Sequence, residues 1–116
     1  MTRAWLVPII RVMEARTRKL AKDLKALLQK RLGEVEVIAF GSRVRKDFAP
    51  DSDLDLCVIV ERLNRKVRDL VFACAWEVGF KADMVIVPVI FTRKEWRGVM
   101  AEAPIVRVIE REGVRL

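Results

Sequence analysis

Apolar and polar residues recur along this chain with two different periods, and each change of period marks an element. Over residues 8–32, Met13, Leu20, Leu24, Leu27 and Leu28 recur at helical spacing; Pro8 suits a first turn and Gly33 a stop. Residues 34–40 switch to a period of two, with Val35, Val37 and Ala39 on one face, which predicts a strand broken by Gly41-Ser42. A polar stretch follows to Ser52, and Pro50 excludes regular helix at its end. Residues 53–60 predict a second strand. Asn64 can cap a helix carrying Val67, Leu70, Val71, Cys74, Ala75 and Val78, which Gly79 closes. Residues 82–91 predict a third strand interrupted by Pro88. Thr92 caps a short helix to residue 100, and Pro104 opens a last helix that Gly113 stops. The order α-β-β-α-β-α-α predicts an α+β fold, a small mixed sheet flanked by helices. No repeat or linker interrupts the 116 residues, so one domain spanning 1–116 is expected.

The second strand begins with an oddity. Asp53 and Asp55 stand two apart and therefore point to one face, while Leu54, Leu56, Val58 and Val60 point to the core. Two neighbouring carboxylates repel, and burying them unpaired is costly. A divalent cation removes that cost, and Mg²⁺ is the natural choice because it takes a few carboxylates together with phosphate oxygens. Asp83, at the start of the third strand, could join them if the two strands are neighbours; by spacing alone a turn or capping role is the better reading. Gly41-Ser42 lets a ligand approach the backbone, and Ser42 could hold a phosphate, with Arg43, Arg45 and Lys46 adding positive charge. The plain alternative is an ordinary turn with exposed basic residues.

Composition narrows the chemistry. There is no histidine, so catalysis falls to carboxylates, lysine, hydroxyls or thiols. A net charge of +7 favours an anionic partner, or equally a charged, heat-tolerant surface. The basic face of the first helix, Arg16, Arg18, Lys19, Lys22, Lys25 and Lys30, reads first as solvated and second as a nucleic-acid contact. Cys57 and Cys74 fall in apolar patterns without metal-type spacing and read as reduced core residues, with a bridge between them left open. No secretory signal or membrane span is apparent, which predicts a soluble, cytoplasmic protein. An EF-hand starting at Asp51 fails at Leu56 and Arg62, and no P-loop sequence exists. A cysteine nucleophile would lack a histidine to activate it.

Gly41-Ser42, ten intervening residues and then Asp53-x-Asp55 resemble the signature of the nucleotidyltransferase superfamily that includes DNA polymerase beta. "GSR" and "SDLDL" match closely, and the chain resembles the stand-alone minimal nucleotidyltransferases of bacteria and archaea. The resemblance extends to the tail "APIVRVIEREGVRL". It implies the polymerase beta-like fold, ATP as substrate, and two Mg²⁺ ions on Asp53 and Asp55, with Asp83 as a third carboxylate beside the attacking hydroxyl. It implies that Gly41 and Ser42, with Arg43 and Lys46, grip the triphosphate. Lys46 stands where the family often has glycine. Many relatives are encoded with a HEPN-domain toxin and act as its antitoxin, some by transferring AMP to a toxin tyrosine. Two rival functions are a binding module that neutralises a partner by contact and a basic nucleic-acid binder. Some of Trp76, Trp96, Val87, Val89, Ile90 and Phe91 are expected to exceed what one core covers, which predicts a homo-oligomer or a complex with a partner protein.

Overall fold

The computed structural model describes residues 13–45 and 49–116. In chain order the elements are α1 (Ala15–Leu32), β1 (Val35–Phe40), α2 (Ser42–Arg45), β2 (Leu54–Val60), α3 (Arg65–Lys81), β3 (Ile86–Thr92), α4 (Arg93–Arg97), α5 (Pro104–Glu112) and β4 (Val114–Arg115). The residues expected to begin the first helix, 8–12, lie outside the described ones. The local signals act mostly as read. The Asn64 side chain accepts from the Val67 N–H at 2.8 Å and caps α3. Thr92 and Glu95 cap α4 reciprocally. Pro104 sits in the first turn of α5, and Gly113 caps its end. Gly79, however, does not close its helix, which runs on to Lys81. It is there because the Met84 carbonyl packs where a Cβ would stand, 2.2 Å from that position.

The four strands lie in the order β3-β2-β1-β4. β1 pairs antiparallel with β2 and β4, and β2 pairs parallel with β3, so the sheet is mixed as expected. Two short elements escaped the pattern. α2 is a single turn, and β4 is a two-residue strand extended by a hydrogen bond from the Leu116 N–H to the Val37 carbonyl, 3.0 Å.

The alternation of β1 and β2 divides the interior in two. Val35, Val37 and Ala39 join Leu54, Leu56, Val58 and Val60 on one face, covered by Leu20, Leu24 and Leu28 of α1 and by Val71, Cys74 and Ala75 of α3. Ile38, Phe40, Cys57 and Ile59 occupy the other face under Trp96 of α4 and Val106 and Ile109 of α5. Trp96 and Phe91 are therefore core residues, packed edge to face at 5.4 Å, rather than interface residues. The two thiols lie on opposite faces of the sheet, both free and buried, which rules out the bridge left open by the sequence. Among the described residues no helix is long and apolar enough to cross a membrane.

At one end of the sheet Arg93 gathers Glu34, Glu36 and Glu61, and Glu36 also holds Arg115 at 2.6 Å. The acid pair lies at the opposite end.

Candidate active site

The face of β2 that carries Cys57 and Ile59 also carries Asp55, and Asp53 immediately precedes the strand. The second helical layer covers Cys57 and Ile59 but leaves Asp55 half-buried and Asp53 exposed. Burial, and after it the charge of Asp53, raises the Asp55 carboxyl above its ordinary value, while Arg45 works in the opposite direction. The pair is thus together, in mutual repulsion, at a partly open sheet end. This donor set fits a hard divalent cation that completes its shell with phosphate oxygens and water.

Gly41 is built into the same spot. The antiparallel register sets Phe40 opposite Asp55, so the next residue turns directly beside the carboxylate. A Cβ on Gly41 would lie 2.3 Å from Asp55 Oδ2, and the backbone has φ +84°, in the left-handed region. Glycine is required twice over, by conformation and by the approach of the acid. The Gly41 carbonyl accepts from the Val44 and Arg45 N–H groups, winding the chain into α2, which Ser42 begins. Arg45 reaches Glu112 of α5 at 3.0 Å and ties this turn to the second helical layer. The sequence shows the charge of Arg45 but carries no signal for its bond across to α5.

Two expected contributors are placed differently. Arg43 is 2% exposed, so it is not a surface cation for a phosphate. Its Nε donates to the Ser52 carbonyl at 2.8 Å, Nη2 to the Pro50 carbonyl at 3.0 Å and Nη1 to Thr17 Oγ1 at 3.3 Å, with Glu14 Oε1 at 3.6 Å. Ser52 closes its own turn through bonds with Ala49. Arg43 therefore fastens the corner from which Asp53 emerges to α1. The partner that makes this possible, buried Thr17, was read as part of no pattern. Lys46 lies outside the described residues.

Asp83 sits exposed in the turn between α3 and β3, with φ +55°. This is a conformation that aspartate tolerates better than most residues. Among the described residues no three acids or thiols come close enough to share a metal ion. The register explains it. Asp55 is opposite Val87, and one step back the Leu54 N–H bonds to the Val85 carbonyl, so valines hold the β3 positions beside the pair. Asp83 precedes them in the turn, and the structure does not bring it to the other two.

Cys57 is no nucleophile. Burial, with Glu36 adding to it and Arg115 opposing it, pushes its thiol up to about 12.

Residues 17–114 match the family described as nucleotidyltransferase domain. The chain is also similar to a protein of Methanocaldococcus jannaschii that bears the name "putative protein adenylyltransferase". The two are 30% identical over 73 residues, 62% of this chain and 72% of that protein.

Proposed function

Because the chain belongs to the nucleotidyltransferase domain family, we propose that it transfers AMP from ATP to a hydroxyl group on a protein, with Asp53 and Asp55 holding Mg²⁺. The observation that carries this reading is the seat of the Asp55 carboxylate against the bare Cα of Gly41, with Asp53 beside it. Gly41 lets the Asp55 carboxylate come up against the backbone, and Ser42 starts the turn that would line a phosphate chain beside the acids. Mg²⁺ held there would neutralise the triphosphate and the leaving pyrophosphate. The pair fixes where the charged end of the nucleotide can lie, and Arg45 adds a positive charge near it. The two-ion arrangement implied by the resemblance needs a third carboxylate. Asp83 is not placed to supply it, so the proposal rests on the pair.

Transfer to a protein is supported by the name of the Methanocaldococcus relative. A HEPN-type toxin is the first acceptor to try, and modification of its tyrosine would make this chain an antitoxin. The test uses ATP labelled on its α-phosphate, Mg²⁺ and a HEPN-domain protein as acceptor. Label should move to the acceptor and be lost with Asp53→Asn and Asp55→Asn. Transfer at wild-type rates by both variants would refute the mechanism.

A second reading is favoured by the valines at 85 and 87: with no acid beside the pair on β3, the domain neutralises a partner by contact alone. Calorimetry separates the two, since a folded protein that takes up no Mg-ATP belongs to the second.

A further inference from the structure

The outward face of α3 carries an aromatic ridge that neither the fold nor the proposed chemistry uses. Phe72, Trp76 and Phe80 recur every four residues and are 48%, 66% and 71% exposed. Trp76 and Phe80 stack at 4.8 Å between ring centroids. The core needs other positions of the same helix, Val71, Cys74, Ala75 and Gly79, so the ridge lies on the solvent side of it. Of the chain's five phenylalanines and three tryptophans, three stand together here in solvent. An apolar patch of this kind marks an interface rather than chance exposure.

We propose that α3 is the two-fold interface of a homodimer, in which the ridge packs antiparallel on the same ridge of a second copy. Three arguments choose this occupant. The first is area. An aromatic side chain carries ~150–250 Å², so the exposed fractions leave roughly 350–400 Å² of aromatic surface. A standard interface takes ~800 Å² from each partner and is ~55–65% apolar; the ridge supplies most of that apolar centre.

The second argument is shape and charge. Exposed Ala73 lies beside the ridge, and its small side chain lets a partner helix come close. The start of α3 holds Arg65, Lys66 and Arg68 against one carboxylate, Asp69. Its end and the following turn hold Glu77 and Asp83 with Lys81, and Arg16 of α1 donates to the Ala82 carbonyl there, so this end is close to neutral. An antiparallel pair apposes the basic start of each helix to the near-neutral end of the other, whereas a parallel pair would stack the two basic starts on each other.

The third argument removes the obvious competitor. β3 is an edge strand rich in valine and isoleucine, so two copies could in principle join their sheets there. The Val85 carbonyl faces β2, so by alternation the backbone of residue 88 faces outward. That residue is Pro88, which has no N–H to offer.

The experiment is sedimentation equilibrium of the full chain from ~1 to ~100 µM. A mass twice 13.4 kDa is expected, falling to one chain in Trp76→Glu and in Phe80→Glu. Both positions are exposed, so circular dichroism should show an unchanged fold. An independent arm uses Ala73→Cys with a short bis-maleimide. A cysteine beside the two-fold axis cross-links to its own copy in the partner, whereas Lys66→Cys, far from the axis, does not. A chain that stays monomeric throughout and fails to cross-link through residue 73 overturns the proposal, whether or not it captures a different protein.

Discussion

Replacing Arg43 by Met tests whether the corner before Asp53 is held in place from within. The guanidinium is 2% exposed and donates to the carbonyls of Pro50 and Ser52 and to Thr17. Met fills similar space but leaves both carbonyls without their donor. A hydrogen bond to a charged group contributes about 1.5–3 kcal/mol, and two are lost at the backbone. The variant recovers part of this, because a cation no longer has to be desolvated, so a net loss of about 3–5 kcal/mol is expected. Against a total stability of about 5–15 kcal/mol that is a large fraction. At about 4 °C per kcal/mol for a domain of this size, Tm should fall by about 12–20 °C. Arg43→Lys keeps the charge but not the fork, and should recover less than half of the loss. The measurements are thermal unfolding by circular dichroism and Mn²⁺ titration at a temperature where every variant is folded. Because the same corner launches Asp53, Mn²⁺ affinity should drop about tenfold, ~1.4 kcal/mol. A stability within about 1 kcal/mol of wild type, together with unchanged Mn²⁺ affinity, would show the clamp to be unimportant.

Other outcomes follow from the same geometry. Gly41→Ala meets Asp55 Oδ2 and forces a left-handed alanine; it should cost about 1–3 kcal/mol and weaken Mn²⁺ binding in calorimetry. The folded Asp55 carboxyl is raised, first by burial and then by Asp53, so the folded state holds this proton more tightly than the unfolded chain. Its contribution to the stability of the metal-free protein is therefore fully present below the ordinary value of 3.8 and is lost as pH rises through the raised value. Asp55→Asn should remove that part of the pH dependence in urea melts and stabilise the metal-free protein at neutral pH by less than about 1 kcal/mol; a destabilised variant there would contradict the assignment. Mg²⁺ at tenfold its Kd should stabilise wild type by about 1.4 kcal/mol and leave Asp53→Asn unmoved in the same melts. Asn64→Ala removes the α3 cap and should cost about 0.5–2 kcal/mol by denaturant unfolding, with no change in Mn²⁺ affinity.

What the chain reveals about itself depends on how local each signal is. The strands from Val35 and Leu54 follow from alternation, and α3 and α4 from their caps, because each needs few neighbours to be specified. The pairing of Asp53 with Asp55 was legible for the same reason. Arg43 was not: in a run that reads "GSRVRKD", nothing local says that one arginine turns inward while Arg45 stays half-exposed. That depends on Thr17 of α1, twenty-six residues away. The place of Asp83 depends on register. Its strand was expected from residue 82, but ladder pairing begins at Ile86, which puts valines beside the acids. β4 is two residues long and exists because β1 offers it an edge, so no window of sequence could announce it.

The placement of the two cysteines gives the molecule a pair of built-in clocks. Cys57 is sealed beneath α4 and α5 at 0% exposure, and Cys74 is buried between α3 and the sheet at 4%. A thiol reagent can reach each one after its own layer lifts, so two reaction rates time two separate openings. If the layers part together, the clocks agree and the domain unfolds as one unit; if α4 and α5 peel away first, Cys57 reacts early while Cys74 stays silent. Mg-ATP at the open end of β2 should slow the Cys57 clock first, because Asp55 and Cys57 lie on the same strand face, two residues apart.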